Sequence, residues 1–148
     1  MANAVKPTGR SSGPLAVLLG ADRGKLRLVP VRQVEMKRLS EAAGEPVIFT
    51  VRALTGDEFQ DAQDASMRIT KRGEVEDMDA RAMQINCVLS GIKEPDLKNK
   101  ELQEIYEAST PDELLDGRFL LPGEVTHLFN VVQELSGFGE GSIEEIKN

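Results

Sequence analysis

Residues 47–62, VIFTVRALTGDEFQDA, contain a change of hydrophobic period that decides the fold. Residues 47–54 are rich in β-branched and aromatic side chains, and Val47, Phe49 and Val51 share one face, which predicts a half-buried strand. The following TGDE at 55–58 is a capping box, whose threonine hydroxyl and glutamate carboxylate satisfy the N–H groups at a helix start. The stretch therefore predicts a strand followed by a helix, which we expect to end at Arg72-Gly73.

A second strand is predicted upstream, where residues 34–37 alternate apolar with charged side chains. The segment 40–46 separates the two strands, so the pattern predicts a β-hairpin with a long connection. A lone hairpin is marginally stable in water, and helices must cover its apolar face.

Helical periodicity continues downstream and accounts for most of the remaining chain. Apolar residues recur at helical spacing from Met78 to Ile92, behind a cap at Asp77 or Asp79. We expect further helices at 100–108, from Pro111, from Pro122 to Gly137, and briefly at 142–145. The predicted fold class is α+β and mainly helical: an N-terminal β-hairpin followed by five or six helices in one small domain.

The charge of the chain is unevenly distributed. The net charge is −7, but residues 1–40 contain eight Lys/Arg against two acidic residues, which gives +6 there and −13 for the remainder. An acidic body repels nucleic acid, and the basic arm has no aromatic residue for base stacking, so no nucleic-acid partner is expected. Composition alone leaves three contacts open for the basic segment, with an acidic partner, with RNA or with the body, and the lack of aromatic residues argues against RNA.

The sequence is poor in groups that carry catalysis. Cys87 is the only cysteine and His127 the only histidine, which excludes an intramolecular disulfide, a Cys-rich zinc site and any His-pair metal motif. The GADRGK stretch at 20–25 has one residue too few between its glycines for a phosphate-binding loop. Glu124 and His127 lack the second pair that a di-iron site requires. We therefore expect no catalytic residue, no cofactor and no metal, and an inert, buried Cys87 rather than a nucleophile.

The N-terminal region combines a polar arm with a short apolar run. Residues 1–14 have the Pro, Gly and Ser content of a flexible arm, and the domain is expected to span 15–148. The run LAVLL at 15–19 is too short for a signal peptide or a membrane span, so no membrane association is expected. It either packs on the body or forms an exposed docking segment. In the second case its partner-binding residues are Leu15, Leu18 and Leu19.

The C-terminal third carries a combination of short motifs, with related pieces upstream. They are ELQ at 101–103, Tyr106, PDELL at 111–115, LLPGE at 120–124, LSGF at 135–138 and KN at 147–148, preceded by VEMKRL at 34–39, GEPV at 44–47 and VRALT at 51–55. Together they resemble the phage tail assembly chaperones of the PBSX prophage, XkdN-like type. The chain departs from that pattern at Glu107-Ala108, where a glycine is expected, and in its longer start.

The resemblance implies a non-enzymatic protein of long-tail assembly. Such a chaperone binds the tape measure protein in the host bacterial cytoplasm, keeps it soluble until tail tube subunits polymerise around it, and is absent from the mature virion. The implied partners are the tape measure protein, the tail tube protein and a frameshifted longer form of the chaperone itself. The alternative is a tail structural or completion protein that is retained in the virion.

Overall fold

The computed structural model of the protein describes residues 13–146. This part of the chain contains eight α-helices and five strands, so the α+β, mainly helical class is confirmed. The helices are α1 (Pro14–Gly20), α2 (Arg23–Arg27), α3 (Lys37–Ala43), α4 (Gly56–Ala65), α5 (Ala80–Gly91), α6 (Lys100–Ile105), α7 (Pro111–Leu115) and α8 (Pro122–Gln133), which a π-helical turn extends (Glu134–Phe138). The strands are β1 (Val31–Glu35), β2 (Ile48–Arg52), β3 (Met67–Ile69), β4 (Val75–Met78) and β5 (Ile92–Glu94).

The larger sheet has three antiparallel strands in the order β1-β2-β5. The lone N-terminal hairpin is not confirmed in this form, because β2 also pairs with β5, and because α3 connects β1 to β2 where a loop was expected. The first strand also ends at Glu35, before buried Met36. Helix α3 stops at Gly44, whose φ of +78° suits glycine.

The helix after the capping box is shorter than predicted. Helix α4 ends at Ala65 instead of Arg72-Gly73, and β3 and β4 form a separate two-stranded sheet. Buried Ser66 lies where the helix ends. Its hydroxyl donates to the Ala62 carbonyl and accepts from the Asn86 side chain. Its backbone carbonyl accepts from the Asp79 N–H. Hydroxyl side chains that bond to the backbone in this way compete with helix continuation.

Five helices, α4 to α8, follow β2, in agreement with the five or six expected after the hairpin, and three further helices were not predicted. The additional helices are short and lie before residue 44, where apolar periodicity is weak. The prediction of a helix at 142–145 is wrong, since no helix forms there. Ile143 nearby is 92% exposed, so no packing offsets the entropic cost of starting a helix. The helix that begins at Pro122 was expected to end at Gly137. This is confirmed, because Gly137 has a φ of +95°, which is not helical.

The core lies between the three-stranded sheet and the helices α5, α7 and α8. Phe49 and Val51 on β2 point into it and meet the apolar faces of α5 and α8. Gly91 at the end of α5 permits close approach, because a Cβ there would lie 2.7 Å from Val132 Cγ2 and 3.2 Å from the Arg52 carbonyl oxygen. In this sheet β1 is an edge strand, and α1 and α2 precede it in the chain.

Candidate docking surface

Two short helices precede the sheet and carry the apolar run singled out in the sequence. Helix α1 has proline at its first turn, where the missing N–H is not needed. Helix α2 is capped by Asp22, whose carboxylate accepts from the N–H groups of Gly24 at 2.8 Å and Lys25 at 3.3 Å. The same aspartate explains the GADRGK stretch, because it satisfies backbone N–H groups that a phosphate loop would turn toward its ligand.

The leucines of α1 face solvent. In the described part of the chain no residue of α1 or α2 is buried, and Leu15, Leu18 and Leu19 are 70%, 57% and 76% exposed. The structure thus does not place the run against the body. Of the two interpretations of the sequence, it favours an exposed docking segment, and partner contact by these three leucines stays a prediction.

The exposed apolar surface extends further than the sequence reasoning assigned. Leu26 in α2 and Leu28 after it are 57% and 73% exposed. We call the five leucines at 15, 18, 19, 26 and 28 the leucine surface. The alternation of apolar and basic residues at 25–28 was the signal that would have extended the prediction to Leu26 and Leu28.

A groove of about 390 Å³ lies between β1 and α8. Its lining includes the apolar side chains of Val34, Met36 and Leu128, together with Glu124 and His127. The Arg38 guanidinium binds both Glu124 carboxylate oxygens, at 3.1 and 2.8 Å, and lowers the pKa of that carboxyl. Glu124 is therefore engaged in an ion pair rather than available to His127 as a metal ligand.

Reactive groups elsewhere have structural roles. Cys87 is fully buried, and burial raises the pKa of its thiol, the opposite of what a nucleophile requires. Among residues 13–146, no group of three or more His, Cys, Asp and Glu side chains is arranged to hold a metal ion.

A bidentate ion pair joins β2 to the start of α4. Arg52 donates to both oxygens of Glu58, at 2.8 and 2.6 Å, and Glu58 also accepts from the Thr55 N–H at 2.9 Å. Hydrogen bonding to Arg52 lowers the pKa of Glu58 to about 2. The predicted capping box is thus confirmed and is reinforced by an ion pair.

Replacement of Glu58 by glutamine is expected to destabilise the protein by about 1 kcal/mol at pH 7, since the pair is partly exposed. A lowered pKa in the folded state contributes stability above the ordinary carboxyl pKa, and this contribution disappears as the pH falls toward 2. The deficit of Glu58→Gln should therefore shrink between about pH 4.5 and pH 2. Urea unfolding across this range measures it, with Glu104→Gln at an exposed position of α6 as control. A deficit that is independent of pH would contradict the role of the ion pair.

The sequence profile of a known family matches nearly the whole chain. The family is described as Phage XkdN-like tail assembly chaperone protein, and the match covers residues 15–147. The chain belongs to this family. The resemblance noted from the short motifs is therefore confirmed, and family membership suggests a non-enzymatic role for this tail assembly chaperone.

Comparison with solved structures supports the fold of the chaperone. The crystal structure of the protein YqbN is similar with a TM-score of 0.55 and 23% sequence identity, covering 76% of this chain and 90% of that chain. At this identity the likeness concerns the fold alone. No curated protein matches the chain.

The family match covers all five residues of the leucine surface. It begins at Leu15, the first exposed leucine of α1, whereas residues 1–12 of the predicted arm lie outside the described residues.

None of the helices within residues 13–146 has the length and the apolar character that a membrane span requires.

Proposed function

We propose that this tail assembly chaperone binds the tape measure protein and keeps it soluble in the host bacterial cytoplasm until the tail tube protein assembles around it. The observation that carries the proposal is the leucine surface, five leucines on α1, α2 and the residue after them that the folded domain leaves in water. Apolar side chains that a folded domain leaves exposed in number are typical of a binding site.

The geometry of the leucine surface suits a helical client. Leu15, Leu18 and Leu19 are spaced three and four residues apart, which places them on one face of α1. Such a face packs against the apolar stripe of another helix and removes both from water. A tape measure protein that is long and helical would otherwise expose that stripe and aggregate.

The basic N-terminal segment and the acidic remainder of the chaperone have different roles in this proposal. Arg23, Lys25 and Arg27 accompany the leucines, and they suit a client whose apolar stripe is bordered by acidic residues. The remainder of the chain beyond residue 40 carries −13 and faces outward when the leucines are engaged. Mutual repulsion between these acidic bodies keeps coated clients apart.

Co-expression with the cognate tape measure protein tests the proposal. We expect the tape measure protein to move from the pellet to the soluble fraction when the chaperone is present, and the two to co-purify. Equal insolubility of the tape measure protein with and without the chaperone would contradict the proposed function. Mass spectrometry of purified virions separates it from the alternative, because a tail completion protein is retained in the particle and a chaperone is not.

A further inference from the structure

Residues 139–146, which we call the C-terminal segment, leave apolar side chains in water. Ile143 and Ile146 are 92% and 87% exposed, and they are three positions apart, the spacing of one helical face. Ser142 and Glu145 provide the hydroxyl and the carboxylate of a capping box, yet the segment is not helical. The segment therefore has the composition of a helical turn but lacks a surface that covers its isoleucines.

The charges of the C-terminal segment are opposite to those of the leucine surface. The segment has three exposed glutamates, at 140, 144 and 145, and no basic residue. Helix α2 has three exposed basic residues, Arg23, Lys25 and Arg27, and no acidic one. Opposite charges beside apolar side chains bring two surfaces together in a defined orientation, and the apolar groups are then buried between them.

The C-terminal segment and α2 are both attached near the edge strand β1. Gly139 packs against Glu134, because a Cβ at Gly139 would lie 3.1 Å from Glu134 Cγ. Glu134 Oε1 in turn lies 3.9 Å from Arg32 Nη1 on β1. Only residues 28–30 separate α2 from β1. Eight extended residues span about 26 Å, so the segment is long enough to reach α2.

We infer that the C-terminal segment docks on the leucine surface of its own chain. In the docked state Ile143 and Ile146 pack against the leucines, and the glutamates of the segment lie beside the basic residues of α2. The structure shows the undocked state, in which both surfaces are exposed, and the two states exchange. The capping box at 142–145 then forms its helical turn only on docking.

A docked C-terminal segment mimics the client, because it is apolar, acidic and helical. It covers part of the leucine surface while no client is present and competes with the client for it. A client with a longer apolar stripe displaces the segment, since it buries more apolar area than two isoleucines do. As a regulation of client binding the inference rests on the proposed function, but the contact within the chain does not depend on it.

Amide hydrogen exchange of the free chaperone tests the contact from both sides. In I143E/I146E the amides of α1 and α2 are expected to exchange at least about twofold faster than in wild type, because their cover is lost. In L15E/L18E/L19E the amides of residues 142–146 should become faster by a similar factor. Each variant is measured at the segment that it does not alter, so local effects of the substitutions do not contribute.

The control I69E/I105E makes the same change at two isoleucines that are 66% and 67% exposed, and it should leave both segments unchanged. Circular dichroism confirms that each variant is folded. Unchanged exchange of both segments in the folded variants would overturn the inference. So would protection in wild type that disappears on about tenfold dilution, because a contact within one chain does not depend on concentration. Neither result involves the client, so the proposed function stands or fails separately, in the co-expression experiment.

Discussion

Simultaneous replacement of Leu15, Leu18 and Leu19 by glutamate is expected to return the tape measure protein to the insoluble fraction in co-expression. Burial of one leucine contributes about 1.5–3 kcal/mol, so the loss of even half of the contribution of three leucines weakens binding by about a hundredfold. The variant itself should fold normally, because all three side chains are already exposed. Its free energy of unfolding should change by no more than about 0.5 kcal/mol.

A matched control separates the leucine surface from exposed apolar side chains in general. Ile105, Ile143 and Ile146 are also exposed, and replacing them by glutamate introduces the same charge at sites outside α1 and α2. This control should keep the tape measure protein soluble as wild type does. A leucine variant that solubilises the tape measure protein as fully as wild type would refute the assignment of the site.

Replacement of Phe49 by alanine is expected to destabilise the protein strongly. Phe49 lies on the central strand β2, is 2% exposed, and packs in the core shared by the sheet and the helices. Removing a buried phenylalanine side chain costs about 3–5 kcal/mol through lost apolar burial and the cavity left behind. This is a large share of the roughly 5–15 kcal/mol that stabilises an ordinary domain.

Urea unfolding compares this variant with its neighbour on the opposite face of the strand. Ile48 is 50% exposed, so Ile48→Ala should cost well under half as much as Phe49→Ala. Equal losses at the two positions would show that the alternation along β2 does not define the core.

The sequence was sufficient to predict features that depend on residues a few positions apart, such as a side chain that caps a nearby backbone N–H. Thr55 caps α4 as the sequence predicts, and Thr110 caps α7 in the same way, since each capping hydroxyl and the N–H it satisfies lie within three positions of each other. The alternation at 47–54 likewise identified the strand that lies at the centre of the sheet.

Contacts between distant parts of the chain determine the elements that the sequence did not predict. Strand β5 has three residues, too few for a periodic pattern, and it forms because β2 offers an open edge. The residues of β3 fitted the helical spacing of α4, but the hydrogen bonds of Ser66 with Asn86 and Asp79 end the helix. Such contacts join positions far apart in the chain and leave no local trace.

The sequence predicted most of the residues that form the candidate site, but it did not predict whether they are buried or exposed. An apolar run at 15–19 fits both a buried helix and a docking helix, because hydrophobicity alone does not say what covers it. Exposure of α1 in the folded chain distinguishes the two. The prediction did not include Leu26 and Leu28 because they lie outside the continuous apolar run, although their alternation with Lys25 and Arg27 is a signal for an exposed apolar face.

Amide hydrogen exchange of the chaperone, free and in complex with the tape measure protein, tests the assigned site most directly. Short, exposed helices such as α1 and α2 open readily and exchange fast in the free protein. We predict that backbone amides of residues 15–28 exchange at least about tenfold more slowly in the complex, while those of α6 are unchanged. Unchanged exchange at 15–28 in a stable complex, with protection appearing elsewhere, would show that the leucine surface is not where the client binds.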